Sequence, residues 1–196
     1  MNFYNLHNHS IFSPQDGLIN CKDLIKKIKE YGQNAFSITD HGNVACIPSF
    51  YKISKENNIK FIPGSEFYIV KDLKIKEQKE KRRHITVIAK NNIGLKNLYK
   101  LSSISYIEGF YYKPRIDYKT LFEYSEGLIV FSGCMKSLLS SIILDDNLEE
   151  KTKIYDEYFS MMKNNLEDFY IEIMPHDIEE IKKINIVSQQ LCEKYN

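Results

Sequence analysis

The feature that most constrains this chain is the order of its apolar segments, in which short runs of β-forming residues alternate with longer amphipathic stretches. Phe3 to His7, Ala35 to Thr39, Lys60 to Pro63, His84 to Ala89, Gly127 to Ser132 and Phe169 to Met174 read as six strands. Glu66 to Val70 continues the third as extended chain. Between them, Cys21 to Tyr31 reads as a helix with Leu24, Ile25 and Ile28 on one face. Ala45 to Glu56, Ile93 to Tyr106, Met135 to Ile143, Leu148 to Met162 and Ile178 to Tyr195 read as the other helices. Alternation of this kind predicts an α/β fold with a mainly parallel sheet and crossover helices, because parallel neighbours need a long connection. Six strands could form an open sheet or most of a barrel. The sequence ends after a helix, where a β/α barrel would place another strand. The charge-dense stretch Lys71 to Arg83 reads as a solvated loop.

Composition narrows the class. At 196 residues, 43% of them hydrophobic and 27% charged, the chain can bury one core and is expected to form one domain over 1–196. Lys+Arg at 27 against Asp+Glu at 26 leaves a net charge of +1, so any contact with nucleic acid must come from a local patch. No apolar run approaches the roughly 18 residues of a membrane span, and the first residues lack the basic and apolar regions of a signal peptide. Four cysteines, Cys21, Cys46, Cys134 and Cys192, lie far apart and form no CxxC pair. A cytoplasmic location is the expectation.

Chemistry enters with His7-Asn8-His9 at the end of the first predicted strand. Residues two apart on a strand point to the same side, so the two imidazoles could chelate one metal; two surface histidines would give the same pattern. His41 follows the second predicted strand after Asp40, Glu66 follows the third after Gly64-Ser65, and Cys134 follows the fifth after Ser132-Gly133. His84 opens the fourth strand and fits less neatly. Sites in β/α folds lie at the C-terminal ends of strands, where the loops converge. Singly, Asp40-His41-Gly42 reads as a turn with Asp40 capping the next helix, Cys134 as a buried inert thiol and Glu66 as an exposed acid. Together, at serial strand ends, they read better as a shared metal site. His176 reads as a surface or helix-capping residue. A His/Asp/Glu cluster around two or three divalent ions suits phosphoester hydrolysis. No GxGxxG, Walker A or GxSxG motif offers another chemistry.

These motifs resemble the PHP (polymerase and histidinol phosphatase) domain. His7-Asn8-His9-Ser10 is similar to the family's first motif, Asp16-Gly17 to the aspartate after it, and Ser37 to Asn43 to its second motif. Gly64 to Tyr68 resembles the glutamate segment, His84 a histidine that opens a strand, and Ser132-Gly133-Cys134 the later cysteine. Ile107 to Asp117 and Glu126 to Cys134 are similar to the branch found at the N-terminus of bacterial DNA polymerase III alpha subunits. The resemblance implies a distorted (β/α)7 barrel, here truncated before its last strand, with polymerase modules absent. It implies His7, His9, Asp16, His41, Glu66, His84 and Cys134 as metal ligands, with His9 and Asp16 catalytic. The family's final Asp-x-His occurs nowhere in the sequence, which leaves two expected ligands lacking. The implied cofactors are two or three divalent ions (Zn, Mn or Fe). The implied partners are DNA (a 3′ end or primer-template), the remaining polymerase modules and replisome subunits, with no membrane. The implied activity is metal-dependent 3′–5′ exonuclease or phosphoesterase chemistry within a DNA-directed DNA polymerase. A stand-alone phosphoesterase and a non-catalytic structural module are the other readings. Lys113 and Arg115, beside Tyr111 and Tyr112, are candidates for nucleic-acid contact or a solvated loop.

Overall fold

The computed structural model describes residues 3–77 and 81–195. In chain order it contains α1 (Cys21–Glu30), β1 (Ala35–Ile38), α2 (Ile47–Glu56), β2 (Lys60–Val70), β3 (Arg83–Ala89) and α3 (Asn92–Ile107). There follow β4 (Arg115–Asp117), α4 (Tyr118–Glu123), β5 (Leu128–Phe131), α5 (Leu138–Leu144), α6 (Lys151–Asn165), β6 (Phe169–Tyr170) and α7 (Glu179–Tyr195). Caps fix several helix starts. Asn20, Asn91, Asp117 and Ser137 each accept backbone N–H groups that open α1, α3, α4 and α5.

The sheet runs β1-β2-β3-β5-β6, with β4 also paired to β2. β3 occupies one edge of β2 from Gly64 to Ile69, so β1 (opposite Lys60 to Pro63) and β4 (opposite Tyr68 to Val70) share the other edge in succession. β1, β4, β5 and β6 all run with β2; β3 alone runs against them. The sheet is mainly parallel, as expected, with β3 the one reversed strand. No helix lies between β2 and β3 among the described residues, and a strand that returns without a crossover must come back antiparallel.

Three local readings change as well. Phe3 to His7 is not a strand; the segment runs extended beside β1, held by Thr39 N–H donating to the Asn8 carbonyl at 2.8 Å and by the Asn8 amide donating to the Ser37 carbonyl at 3.0 Å. β6 is two residues long rather than six. β4 and α4 had no counterpart in the sequence pattern, because a three-residue strand shows no period. Of the charge-dense stretch, residues 78–80 lie outside the described residues, and Arg83 belongs to β3.

Side-chain alternation divides the sheet's two faces. On β2 and β3, Phe67, Ile69, Ile85 and Val87 belong to the hydrophobic core, which includes Phe50 of α2, Leu98 and Leu101 of α3, Leu139 of α5 and Ile184 of α7. The intervening residues Glu66, Tyr68, His84 and Thr86 take the opposite face, with Glu66 paired to Thr86 and Tyr68 to His84. Burying both faces of β3 explains why it reads as a continuous apolar run broken only by His84 and Thr86.

Candidate metal centre

Because β3 is reversed, its N-terminal end lies at the same rim as the C-terminal ends of the other strands. His84, which opens β3, thereby stands beside Tyr68 near the end of β2. The misfit noted in the sequence disappears: His84 is at a strand start, yet at the functional end of the sheet.

Glu66 is the centre of the cluster and is only 1% exposed. Its Oε1 lies 3.0 Å from His84 Nδ1 and 3.6 Å from His7 Nε2. Its Oε2 lies 2.7 Å from His41 Nδ1 and 3.4 Å from His9 Nε2. His7 and His9 project to the same side, with ring centroids 5.0 Å apart, and His9 stacks on His41 at 4.2 Å. Asp16, 52% exposed at the rim, places Oδ2 2.7 Å from His41 Nε2 and 3.8 Å from His9 Nε2. Cys134 Sγ is 3.6 Å from His84 Nδ1. All seven residues singled out in the sequence are thus brought to one place. Three overlapping triads have ligand atoms within 4.8 Å of one another: His7-His9-Glu66, His9-Asp16-His41 and His41-Glu66-His84.

Local structure fixes these positions. Asp40 is buried and accepts from Ser10 N–H (2.7 Å), Ser10 Oγ (2.7 Å) and Ser13 Oγ (2.8 Å). Ser13 Oγ also accepts from His41 N–H at 3.0 Å. Asp40 therefore ties the loop that carries His9 and Asp16 to the segment that carries His41. It does not cap α2, whose first turn has no side-chain cap. Gly133 makes the turn after β5 at φ +87°, and a Cβ there would lie 2.6 Å from the His84 carbonyl oxygen. That turn sets Cys134 against His84.

One member of the site escaped the sequence reading. Glu172, two residues beyond β6, places Oε1 2.6 Å from His7 Nδ1, and its Oε2 accepts from Thr86 Oγ at 3.2 Å. Its backbone N–H donates to Ser132 Oγ at 2.9 Å. The signal available was its place in the sixth apolar run, whose end was set beyond it. His176, by contrast, is exposed and outside the triads.

The electrostatics fit a cation. Burial works to lower His7, but hydrogen bonds to Glu172 and Glu66 outweigh it and raise it to about 10. Burial likewise opposes protonation of His41, and Glu66 and Asp16 overcome it. His9 is lowered, by burial first and then by the charges of His41 and His7. Glu66 is held far below the carboxylate range despite burial, by His41, His7 and His84. Burial and Glu66 push the Cys134 thiol up. The carboxylates around His7 and His41 thus favour positive charge at both rings, and a divalent ion would supply that charge in place of protons, since only neutral imidazole ligates metal. His41 Nδ1 and Glu66 Oε2, although 2.7 Å apart, are not angled to bond each other. Both, with His9 Nδ1, are buried without a hydrogen-bond partner. The orphaned pair His41 Nδ1 and Glu66 Oε2, facing each other, suits a shared ion.

The nucleic-acid expectation at Arg115 is corrected. Its side chain is 1% exposed, and its guanidinium donates to the carbonyls of Gly109 (2.9 Å), Ile75 (3.0 Å) and Leu73 (3.3 Å). It fastens a loop rather than facing solvent, a distinction that charge alone does not reveal. Lys113 is exposed, with Nζ 5.7 Å above the Tyr68 ring.

Comparison with known proteins agrees with this geometry. A family model described as PHP domain matches residues 5–176. DNA polymerase III subunit alpha of Borreliella burgdorferi is 42% identical over 97% of this chain, and that of Aquifex aeolicus 39% identical over 99%. The chain spans only 16% and 17% of the length of these two relatives. Among solved structures, a Bifidobacterium adolescentis protein assigned as a metal-dependent phosphoesterase superposes with a TM-score of 0.53 at 12% identity. That match covers 96% of this chain and 84% of the other. A Chromobacterium violaceum amidohydrolase gives 0.55 at 12% identity, covering 95% and 83%. Both support the fold.

Proposed function

The chain belongs to the PHP domain family, and from that premise we propose that it is the PHP module of a bacterial replicative DNA polymerase III alpha subunit, carrying a metal-dependent phosphodiesterase site. The observation that carries this reading is the trio of triads sharing Glu66, His9 and His41 around orphaned ligand atoms. His7, His9, Asp16, His41, Glu66, His84 and Cys134 would hold two or three divalent ions, with Zn, Mn and Fe all suited to such a donor set. Ions bound there supply charge neutralisation at a phosphoryl group and a water-derived nucleophile at neutral pH.

The chain's own residues divide the remaining work. Glu66, buried between four imidazoles, holds the ligand rings at fixed separations. Glu172 engages His7 Nδ1 and so turns His7 Nε2 towards Glu66, the carboxylate–histidine pairing that orients metal ligands. Asp16 sits at the solvent rim against His41 and His9, where a carboxylate can take up a proton as the nucleophile forms. His9, lowered below ordinary histidine and with one ring nitrogen orphaned, is available as a neutral ligand beside the reacting phosphate. A cavity of about 480 Å³ opens onto His7 and His9 between Phe3, Leu6 and Glu172, with room for a terminal nucleotide. The substrate is the 3′ end of a DNA strand, and the partners are the polymerase modules and the rest of the replisome.

The test is metal content together with release of 3′-terminal nucleotides from single-stranded DNA, with and without added manganese or zinc. Stoichiometric metal and a nuclease activity lost in His9→Ala are expected. Metal binding without hydrolysis would instead favour a structural module, and absence of both would remove the reading.

A further inference from the structure

A cleft of about 560 Å³ is lined by Lys81, Arg82, Arg83, Tyr111 and Tyr112, with Glu77 its one acidic member among the described residues and Arg115 buried beneath. Among the described residues, Lys81, Arg82 and Arg83 face a single carboxylate, a local bias in a chain whose total charge is +1. Arg115 is satisfied by backbone carbonyls, as described above. Among the described residues, Lys81, Arg82 and Arg83 enter no ion pair. Such unneutralised cations are what a polyanion requires.

The aromatic residues have an equally specific arrangement. Tyr112 is 64% exposed and sits at φ +58°, a left-handed conformation that a tyrosine rarely adopts. The flanking hydrogen bond from Tyr111 N–H to the Lys113 carbonyl (3.1 Å) holds it there. The two rings meet edge to face at 4.7 Å, and the Tyr111 ring rests 5.2 Å from the Arg115 guanidinium carbon. The core does not need the Tyr112 ring, yet the backbone is bent to display it at the mouth of a basic cleft.

Tyr68 connects the metal centre to the segment that carries Tyr111 and Tyr112. Tyr68 stacks on His41 at 6.0 Å and meets His84 edge-on at 5.2 Å, while Lys113 Nζ lies over its ring. Tyr68 thus lies between the ligands His41 and His84 and Lys113, the residue that follows Tyr112.

The geometry points to a binding track for single-stranded nucleic acid: Lys81, Arg82, Arg83 and Lys113 hold the phosphates, Tyr112 stacks a base, and the strand passes Tyr68 to reach the metal centre. A basic groove with exposed aromatic rings is how sequence-tolerant single-strand binding is built. The destination of the strand rests on the phosphodiesterase reading; the binding itself needs no metal.

The experiment is fluorescence anisotropy of a 5′-labelled oligo(dT) with the 196-residue chain in EDTA over a range of salt, where hydrolysis is silent. Tyr112→Gly relieves the left-handed strain and should keep the fold while weakening binding about fivefold or more. Lys81→Gln/Arg82→Gln should lower the slope of log K against log salt by about one to two. No binding by the parent chain, or parent-like binding by both variants, overturns the track. So does a polyglutamate peptide binding as tightly as the oligonucleotide, which would assign the cleft to an acidic protein. Binding in EDTA without any metal-dependent cleavage would refute the nuclease reading and leave the track standing; cleavage with variant-insensitive binding would do the reverse.

Discussion

Replacing Asp40 by alanine would strip three hydrogen bonds from Ser10 and Ser13 at a position with no access to water. Leaving those buried donors unmet should cost about 2–3 kcal/mol, read from the midpoint of a urea transition. The same change frees the loop bearing His9 and Asp16, so metal affinity should fall with stability; a variant as stable as the parent would show that Asp40 is not the tie described. Glu172→Gln separates orientation from ligation. The amide keeps the shape but loses the charge that supports His7, and affinity should drop roughly tenfold or more in competition with a chromophoric chelator. Unchanged affinity would remove Glu172 from the site. Residue chemistry was partly legible in the sequence. Histidines, Glu66 and Cys134 at strand ends announced themselves by type and spacing. Glu172 and Asp40 did not, because a glutamate in an apolar run and an aspartate before a turn have commoner uses. Arg115 misled for the converse reason, since burial and not charge decides what a guanidinium does.

At the scale of elements, the pattern located the six helices it proposed, with starts off by up to three residues at α5 and α6. The reversal of β3 was not drawn from the sequence, because periodicity carries no sign, although Lys71 to Arg83 read as the one connection between strands without a helix. Arg115 makes a prediction that belongs here. It joins β4 to the carbonyls of Leu73 and Ile75 in that connection. Arg115→Ala should open residues 71–77 to limited proteolysis and cost about 2–3 kcal/mol, since three carbonyls lose their donors together. Persistent protection of that segment would show that the loop holds itself.

For the whole molecule, ions that bind the folded cluster and not the unfolded chain must raise the melting temperature. At a hundredfold excess over the dissociation constant the gain is about 2.7 kcal/mol. For a domain of this size that corresponds to a rise of roughly 5–10 °C in manganese or zinc relative to EDTA, measured by differential scanning fluorimetry. No shift with either metal would count against a metal centre. None of the helices among the described residues is long and apolar enough to cross a membrane.

The reversed strand β3 has one further consequence. Its pairing with β2 sets Tyr68 against His84 and Glu66 against Thr86, while Phe67 and Ile85 face the helices. A slip of one residue would exchange those faces, aiming an imidazole at the core and isoleucines at the carboxylates. Hydrophobic packing therefore proofreads the spacing of the ligands against any odd slip, which could not bury the core. Insertions between the two strands that the loop can absorb should consequently leave the faces of β3 unchanged, because a one-residue slip of the ladder would bury an imidazole.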